Sequence, residues 1–125
     1  MRLLLDTHIY LWWLADHPSL SDQAKSKIAN ATEIYVSSAS IWEASIKAGL
    51  GKLEVDIDEL VLHIEASGFR ELPISARHAA TVRTLPALHN DPFDRLLVAQ
   101  AVCEPLRLLT HDDKLKGYSE LVDVI

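Results

Sequence analysis

Arg2-Leu3-Leu4-Leu5-Asp6-Thr7 is the stretch whose reading decides the fold. Three successive leucines put apolar side chains on both faces of an extended chain. The run therefore reads as a strand buried inside a parallel sheet, with helices covering each side. It ends in a carboxylate and a hydroxyl. Ligand sites in open α/β sheets lie just beyond the carboxyl ends of such strands, so Asp6 is a candidate for chemistry. Asp is also a common helix N-cap, and from this residue alone both roles are open.

Downstream, Ile9, Trp12 and Trp13 follow helical spacing over residues 7–14, and Pro18 ends the pattern. Ser21 is placed to cap a helix over residues 22–30. Residues 33–37, rich in β-branched and aromatic side chains, read as a strand. A helix over 38–48 stops near Gly49 and Gly51. Asp56 or Asp58 opens the next, and Gly68 closes it as a C′ residue. Residues 69–72 read as a weak strand and 75–84 as a helix ended by Pro86. After a loop over 87–90, Asp91-Pro92 is a strong helix start, with Asp at the cap and Pro at the first helical position. That helix stops at Pro105. Residues 107–110 form another apolar strand, 114–118 a turn or short helix, and 121–125 a last strand. Strands alternating with helices predict an α/β fold with a parallel sheet between helical layers.

At 125 residues, of which 49% are hydrophobic and evenly spread, the chain is expected to be one domain spanning 1–125. The single cysteine, Cys103, excludes an internal disulfide and a thiolate-rich zinc site, and it fits a reducing cytoplasm. No apolar run is long enough to span a membrane, and no signal-peptide pattern precedes Asp6, so a cytoplasmic protein is expected. The net charge of −6 argues against a nonspecific nucleic-acid coat protein. It leaves room for an enzyme that gathers acids around a cation.

The acids fall where a parallel topology places a site. One strand ends at Asp6, and another ends at Thr110 with Asp112 two residues on. Glu43 lies in the first two turns of one helix and Asp94 in the first turn of another. All strand carboxyl ends share one rim, so these four acids can meet there. Two carboxylates about 4 Å apart repel by roughly 4 kcal/mol at an effective dielectric near 20. Helix amino termini offset only about 0.3–1 kcal/mol per charge. Such a cluster protonates, spreads or recruits a divalent cation. Oxygen donors suit Mg²⁺ or Mn²⁺ better than zinc, which points to metal-dependent phosphodiester hydrolysis. Each acid also has a structural role open to it. Asp6 and Asp91 suit helix caps, and Ser40 to Glu43 matches a capping box with Ser38 as an earlier cap. Asp94 complements a helix dipole, and Asp112 and Asp113 suit a turn.

These residues resemble a known family. Leu3-Leu4-Leu5-Asp6-Thr7 resembles the opening of PIN-domain ribonucleases, and Ser37-Ser38-Ala39-Ser40-Ile41-Trp42-Glu43 their second acidic motif. Asp94-Arg95-Leu96-Leu97-Val98-Ala99-Gln100-Ala101 resembles the helix carrying their third acid. Leu108-Leu109-Thr110-His111-Asp112 resembles the fourth. Any one motif is weak; the ordered set spans almost the whole chain. Trp42-Glu43, Ile46-Lys47, Gly51-Lys52-Leu53 and the run from His89 to Arg95 resemble the VapC-like toxin branch in particular.

The resemblance implies a PIN-like three-layer sandwich around a mostly parallel five-stranded sheet. It implies an endoribonuclease toxin in which Asp6, Glu43, Asp94 and Asp112 hold Mg²⁺ or Mn²⁺ and act in catalysis. Water would be the nucleophile, leaving a 5′-phosphate and a 3′-hydroxyl. Thr110 and Arg95 would contact the metal surroundings or substrate phosphates, with Thr7 a weaker candidate. Asp91 and Asp113 remain open as additional acids. Implied partners are RNA, a cognate antitoxin whose Arg or Lys enters the acidic pocket, and a second copy of the chain in a homodimer or higher oligomer.

Among the other candidates, the six histidines form no tight metal-ligand spacing, with His111 favoured slightly by position. Lys47, Lys52 and Lys114 lie near the rim as possible phosphate contacts. The three tryptophans read as core, although adjacent Trp12 and Trp13 must diverge. Two other functions compete. An acid-cluster phosphatase or phosphotransfer domain would need Asp-x-Asp after the first strand, where this chain has Asp6-Thr7-His8, or an Asp after a middle strand, where it has Ser37-Ser38. A non-catalytic PIN-like interaction domain would have no use for all four acids.

Overall fold

In the computed structural model, which covers residues 1–125, the chain begins with β1 (Arg2–Leu5), α1 (Thr7–Ala15) and α2 (Asp22–Asn30). Then come β2 (Glu33–Ser37), α3 (Ser38–Gly49), α4 (Ile57–Ala66) and β3 (Arg70–Leu72). The second half contains α5 (Ala76–Thr81), α6 (Pro92–Cys103), β4 (Arg107–Thr110) and β5 (Val122–Val124). The five strands form one sheet in the order β3-β2-β1-β4-β5, parallel throughout. The triple leucine is its middle strand, with Leu4 opposite Tyr35 on one side and Leu108 on the other.

Alternation along β1 divides the core in two. Leu3 and Leu5 face one side with Val36 and Leu109, beneath Ile9 and Tyr10 of α1, Ala24 and Ile28 of α2, and Leu60 and Ile64 of α4. Leu4 faces the other side with Leu108, against Leu97, Val98 and Ala101 of α6 and against Leu115. All three leucines are buried, each stabilising the fold by roughly 1.5–3 kcal/mol. Helices on both faces leave the strand no solvent side, as its sequence requires.

The chain lays down β1, β2 and β3 in one direction, then crosses over to add β4 and β5 on the far side of β1. Strand order therefore reverses between β1 and β4. Crevices at such switch points are where open α/β sheets bind ligands.

Local signals account for most element ends. Ser21, Asp56, Ser75 and Asp91 each cap a helix through a side-chain oxygen, and Gly68 takes the left-handed φ of +78° that follows α4. Three expectations are corrected. The cap of α3 is Ser37, whose Oγ accepts from the Ala39 N–H, because Ser40 is turned toward Thr7. The expected helix over 75–84 tightens into a 3₁₀ turn at Val82–Thr84, since Leu85 precedes proline and takes extended backbone. Trp42 is not core but 56% exposed, at the margin of the buried α3 stripe formed by Ala39, Ser40, Glu43 and Ala44; its ring meets Phe93 edge-on. Trp13 does pack inward, against Phe69. No helix is long and apolar enough to cross a membrane.

Candidate metal centre

Asp6 leaves the end of β1 and meets the end of β4 across the switch point. Its N–H donates to Leu109 O at 2.9 Å. Its carboxylate caps α1, with Oδ1 accepting from the Thr7 N–H at 2.6 Å, while Oδ2 accepts from the Thr110 hydroxyl at 2.6 Å. Two bonds leave lone pairs on both oxygens. Asp6 is 5% exposed, and burial pushes its pKa up. The Thr110 and Thr7 bonds pull it down, His8 pulls it down further, and Glu43 pushes it up.

Glu43 reaches the same place from the second turn of α3 and is also buried. Its Oε1 accepts from the Thr7 hydroxyl at 2.7 Å, and its Oε2 meets Lys47 Nζ at 2.8 Å, one turn along the helix. Having given its single proton to Glu43, the Thr7 hydroxyl accepts from Ser40 Oγ at 2.9 Å. The bond to Glu43 raises the Lys47 pKa, so that ammonium stays charged.

Helix α6 supplies the next pair. Asp91 Oδ1 accepts from the Phe93 and Asp94 N–H groups at 2.8 and 3.2 Å, which fixes the start of the helix. Asp94, one turn in, carries the largest perturbation in the site. Its pKa is pushed up to about 8 by burial first, then by Asp6, Asp91, Glu43 and Asp112. Below that value Asp94 keeps its proton, the response of a carboxylate that is both buried and crowded by others. Asp112 arrives from the turn after β4, with its N–H donating to Thr110 Oγ1 at 3.1 Å and its Oδ1 accepting from the Lys114 N–H at 3.0 Å.

The structure thus brings Asp6, Glu43, Asp94 and Asp112 to one cavity of about 400 Å³, and Asp91 lines it too. The remaining lining is Lys47, His8, Trp12 and His111. Five carboxylates face one lysine. All-oxygen donors, lone pairs left over on Asp6 and a raised Asp94 pKa together fit a hard divalent cation.

Other expected residues take different places. Thr110 is fully buried and its hydroxyl donates to Asp6, which places it in the surroundings of the acids rather than among the cavity-lining side chains. Arg95 points out of the cavity. Its guanidinium donates to Pro86 O at 2.9 Å, Val82 O at 3.1 Å and Tyr118 Oη at 3.1 Å, and so clamps a loop. Asp113, Lys52 and Lys114 are not among the lining side chains. His89 was missed: its Nε2 stands 3.1 Å from both Asp94 Oδ2 and Asp112 Oδ2. The sequence offered its place at the start of the run from His89 to Arg95, five residues before Asp94. Nothing local reveals its reach to Asp112, which comes from a distant strand.

Comparison with known proteins gives consistent results. A family model for the PIN domain matches residues 3–121. Ribonuclease VapC22 of Mycobacterium tuberculosis is 34% identical over 118 residues, covering 93% of this chain and 91% of that protein. The fold is similar to that in the crystal structure of VapBC2 from Rickettsia felis bound to a promoter DNA fragment (TM-score 0.71, 21% identity, 100% of this chain and 98% of that one). It is also similar to DNA-bound VapBC from Salmonella typhimurium (TM-score 0.68, 13% identity, 100% and 97% coverage).

Proposed function

The chain belongs to the PIN-domain family, and on that premise we propose that it is a divalent-metal-dependent endoribonuclease, the toxin of a toxin–antitoxin pair. The observation that carries this is the shared cavity: five carboxylates from separate elements face one lysine, and one of them is driven to a pKa of about 8. The resemblance of the chain to a ribonuclease over nearly its full length supports RNA as the substrate.

Asp6, Glu43, Asp94 and Asp112 are the residues that would hold Mg²⁺ or Mn²⁺. Bound there, the cation would lower the pKa of water and neutralise charge developing on the phosphodiester. The chain's own residues prepare for this. Thr7 N–H and Thr110 hydroxyl hold Asp6 from two sides, so its remaining lone pairs face the cavity in a set orientation. Thr7 and Lys47 do the same for Glu43. Asp94, whose pKa burial and the neighbouring acids raise, would be held ionised with a cation bound. Lys47, which lines the same cavity beside Glu43, would offer its charge to a substrate phosphate there. Hydrolysis by water would leave a 5′-phosphate and a 3′-hydroxyl.

The same cavity suits an antitoxin. A basic side chain entering it would replace the cation with a desolvated, hydrogen-bonded ion pair. Solved relatives of this fold are VapBC complexes, which supports that partner. A cytoplasmic homodimer or higher oligomer completes the reading.

A cleavage assay on mixed RNA with Mg²⁺ or with chelator, comparing wild type with Asp6→Asn and Asp94→Asn, tests the function. Loss of cutting in all three controls is expected. Variants that cut as fast as wild type would remove the metal assignment. Expression of the chain without an antitoxin is expected to arrest growth, and Asp94→Asn to relieve the arrest; persistent arrest would favour a non-catalytic binding domain.

A further inference from the structure

His89 sits between two of the acids yet belongs to neither of their elements. Its loop lies ahead of α6, Asp94 is in the first turn of that helix, and Asp112 follows β4. Nε2 hydrogen-bonds Asp112 Oδ2 at 3.1 Å and stands 3.1 Å from Asp94 Oδ2. One imidazole nitrogen and two carboxylate oxygens within 4.8 Å of one another could be taken for three ligands of a metal. The hydrogen bonds say otherwise.

The Asn90 N–H donates to His89 Nδ1 at 3.0 Å. That nitrogen uses its lone pair as acceptor, so the ring proton resides on Nε2. An N–H there can donate to the Asp112 carboxylate and lies within reach of Asp94, whereas a lone pair in the same place would repel the Asp112 carboxylate. Nε2 therefore has no lone pair to give to a cation. Ligation would require moving the proton to Nδ1, where it would confront the Asn90 N–H.

We propose that His89 is a positioning residue of the acidic site, donating from Nε2–H to set the spacing of Asp94 and Asp112 while remaining outside the ligand set. The clamp around Arg95 presents it. Arg95 fastens Val82 O and Pro86 O at the start of the loop and meets Tyr118 Oη at 3.1 Å, and that hydroxyl donates to His89 O at 3.4 Å. Arg95 thereby acts on the site through the loop. The proposal rests on the metal reading above and adds a residue and a role to it.

Equilibrium binding of Mg²⁺ and of Mn²⁺, measured by calorimetry without RNA, separates the outcomes. His89→Ala is expected to weaken both ions to the same extent, by about 10–100-fold, the usual cost of losing a donor that orients a ligating carboxylate. His89→Gln, whose amide can donate, recovers most of that loss. In ¹⁵N NMR the His89 ring stays protonated at Nε2 with and without Mg²⁺. A selective loss of Mn²⁺ in His89→Ala, or a tautomer change on loading, would make His89 a ligand and overturn the proposal. Unchanged affinity for both ions would remove His89 from the site and leave the metal reading standing. Wild type that binds neither ion would overturn the metal reading, and this inference with it.

Discussion

The two ends of the sheet handle charge in opposite ways. Toward the amino ends of the strands, charged groups come in matched pairs: Arg2 with Glu33 at 3.5 Å, and Lys27 with Asp123 at 2.9 Å. There the Tyr35 hydroxyl, helped by Arg70 and Arg2, holds the Glu33 carboxyl below its usual range. At the carboxyl ends, five carboxylates share one cavity with one lysine, and Asp94 is pushed up to about 8. A paired carboxylate is content in its ionised form. A crowded one holds a proton until something more positive displaces it. The same residue type is thus held ionised at one rim and protonated at the other; hydrogen bonding and burial make most of the difference, and neighbouring charge adds to it.

Substitution across the two rims should break this symmetry most visibly. Asp6→Asn or Asp94→Asn is expected to lower the initial rate of RNA cleavage by at least about 100-fold, beyond the usual cost of disturbing an outer partner. Glu33→Gln at the paired rim should leave that rate unchanged. Equal losses at both rims would mean that the acids act only through stability.

A smaller effect should come from Thr110→Val, which removes the hydroxyl that bonds Asp6 Oδ2. Metal affinity is expected to fall by about 10–100-fold, and stability by about 1–3 kcal/mol, because a buried carboxylate loses a donor. Thr110→Ser should retain both. Titration calorimetry and urea unfolding check the two parts separately.

The stability of the metal-free protein should depend on pH through Asp94. Folded Asp94 holds its proton up to about pH 8, while in the unfolded chain it releases it near pH 4. Between these values the folded state binds more protons, so stability present below about pH 4 is lost as pH rises through about 8. The Tm is therefore expected to fall over that window, less steeply in Asp94→Asn, with Mg²⁺ restoring more at high pH than at low. A Tm from this group that rises with pH would contradict the assignment.

The least effect is expected at the paired rim. Lys27→Ala breaks a partly exposed ion pair with Asp123 and should cost at most about 1 kcal/mol in urea unfolding, with metal affinity unchanged.

Much of this was legible in the chain itself. Leu3 to Leu5 specified a strand buried on both faces, since an apolar run without alternation has no side to give to water. Ser21, Asp91-Pro92 and Gly68 marked helix ends because capping is settled within a few residues. Once the elements were known to alternate, parallel topology brought Asp6, Glu43, Asp94 and Asp112 to one rim, whatever their separation in sequence. Trp42 shows the limit. Helical spacing identifies a face, but whether a residue at its margin is covered depends on what packs nearby.

The sequence by itself determined the elements, the parallel sheet and the edge at which its acids collect, because these follow from periodicity, local capping and a shared strand direction. Only the tertiary structure decided that Thr110 holds Asp6 across 104 residues, that Arg95 serves a loop, that His89 bonds Asp112, and that Asp94 keeps a proton. Hydrogen-bond partners and pKa values depend on distances and burial between groups remote in the chain, and no local pattern encodes those.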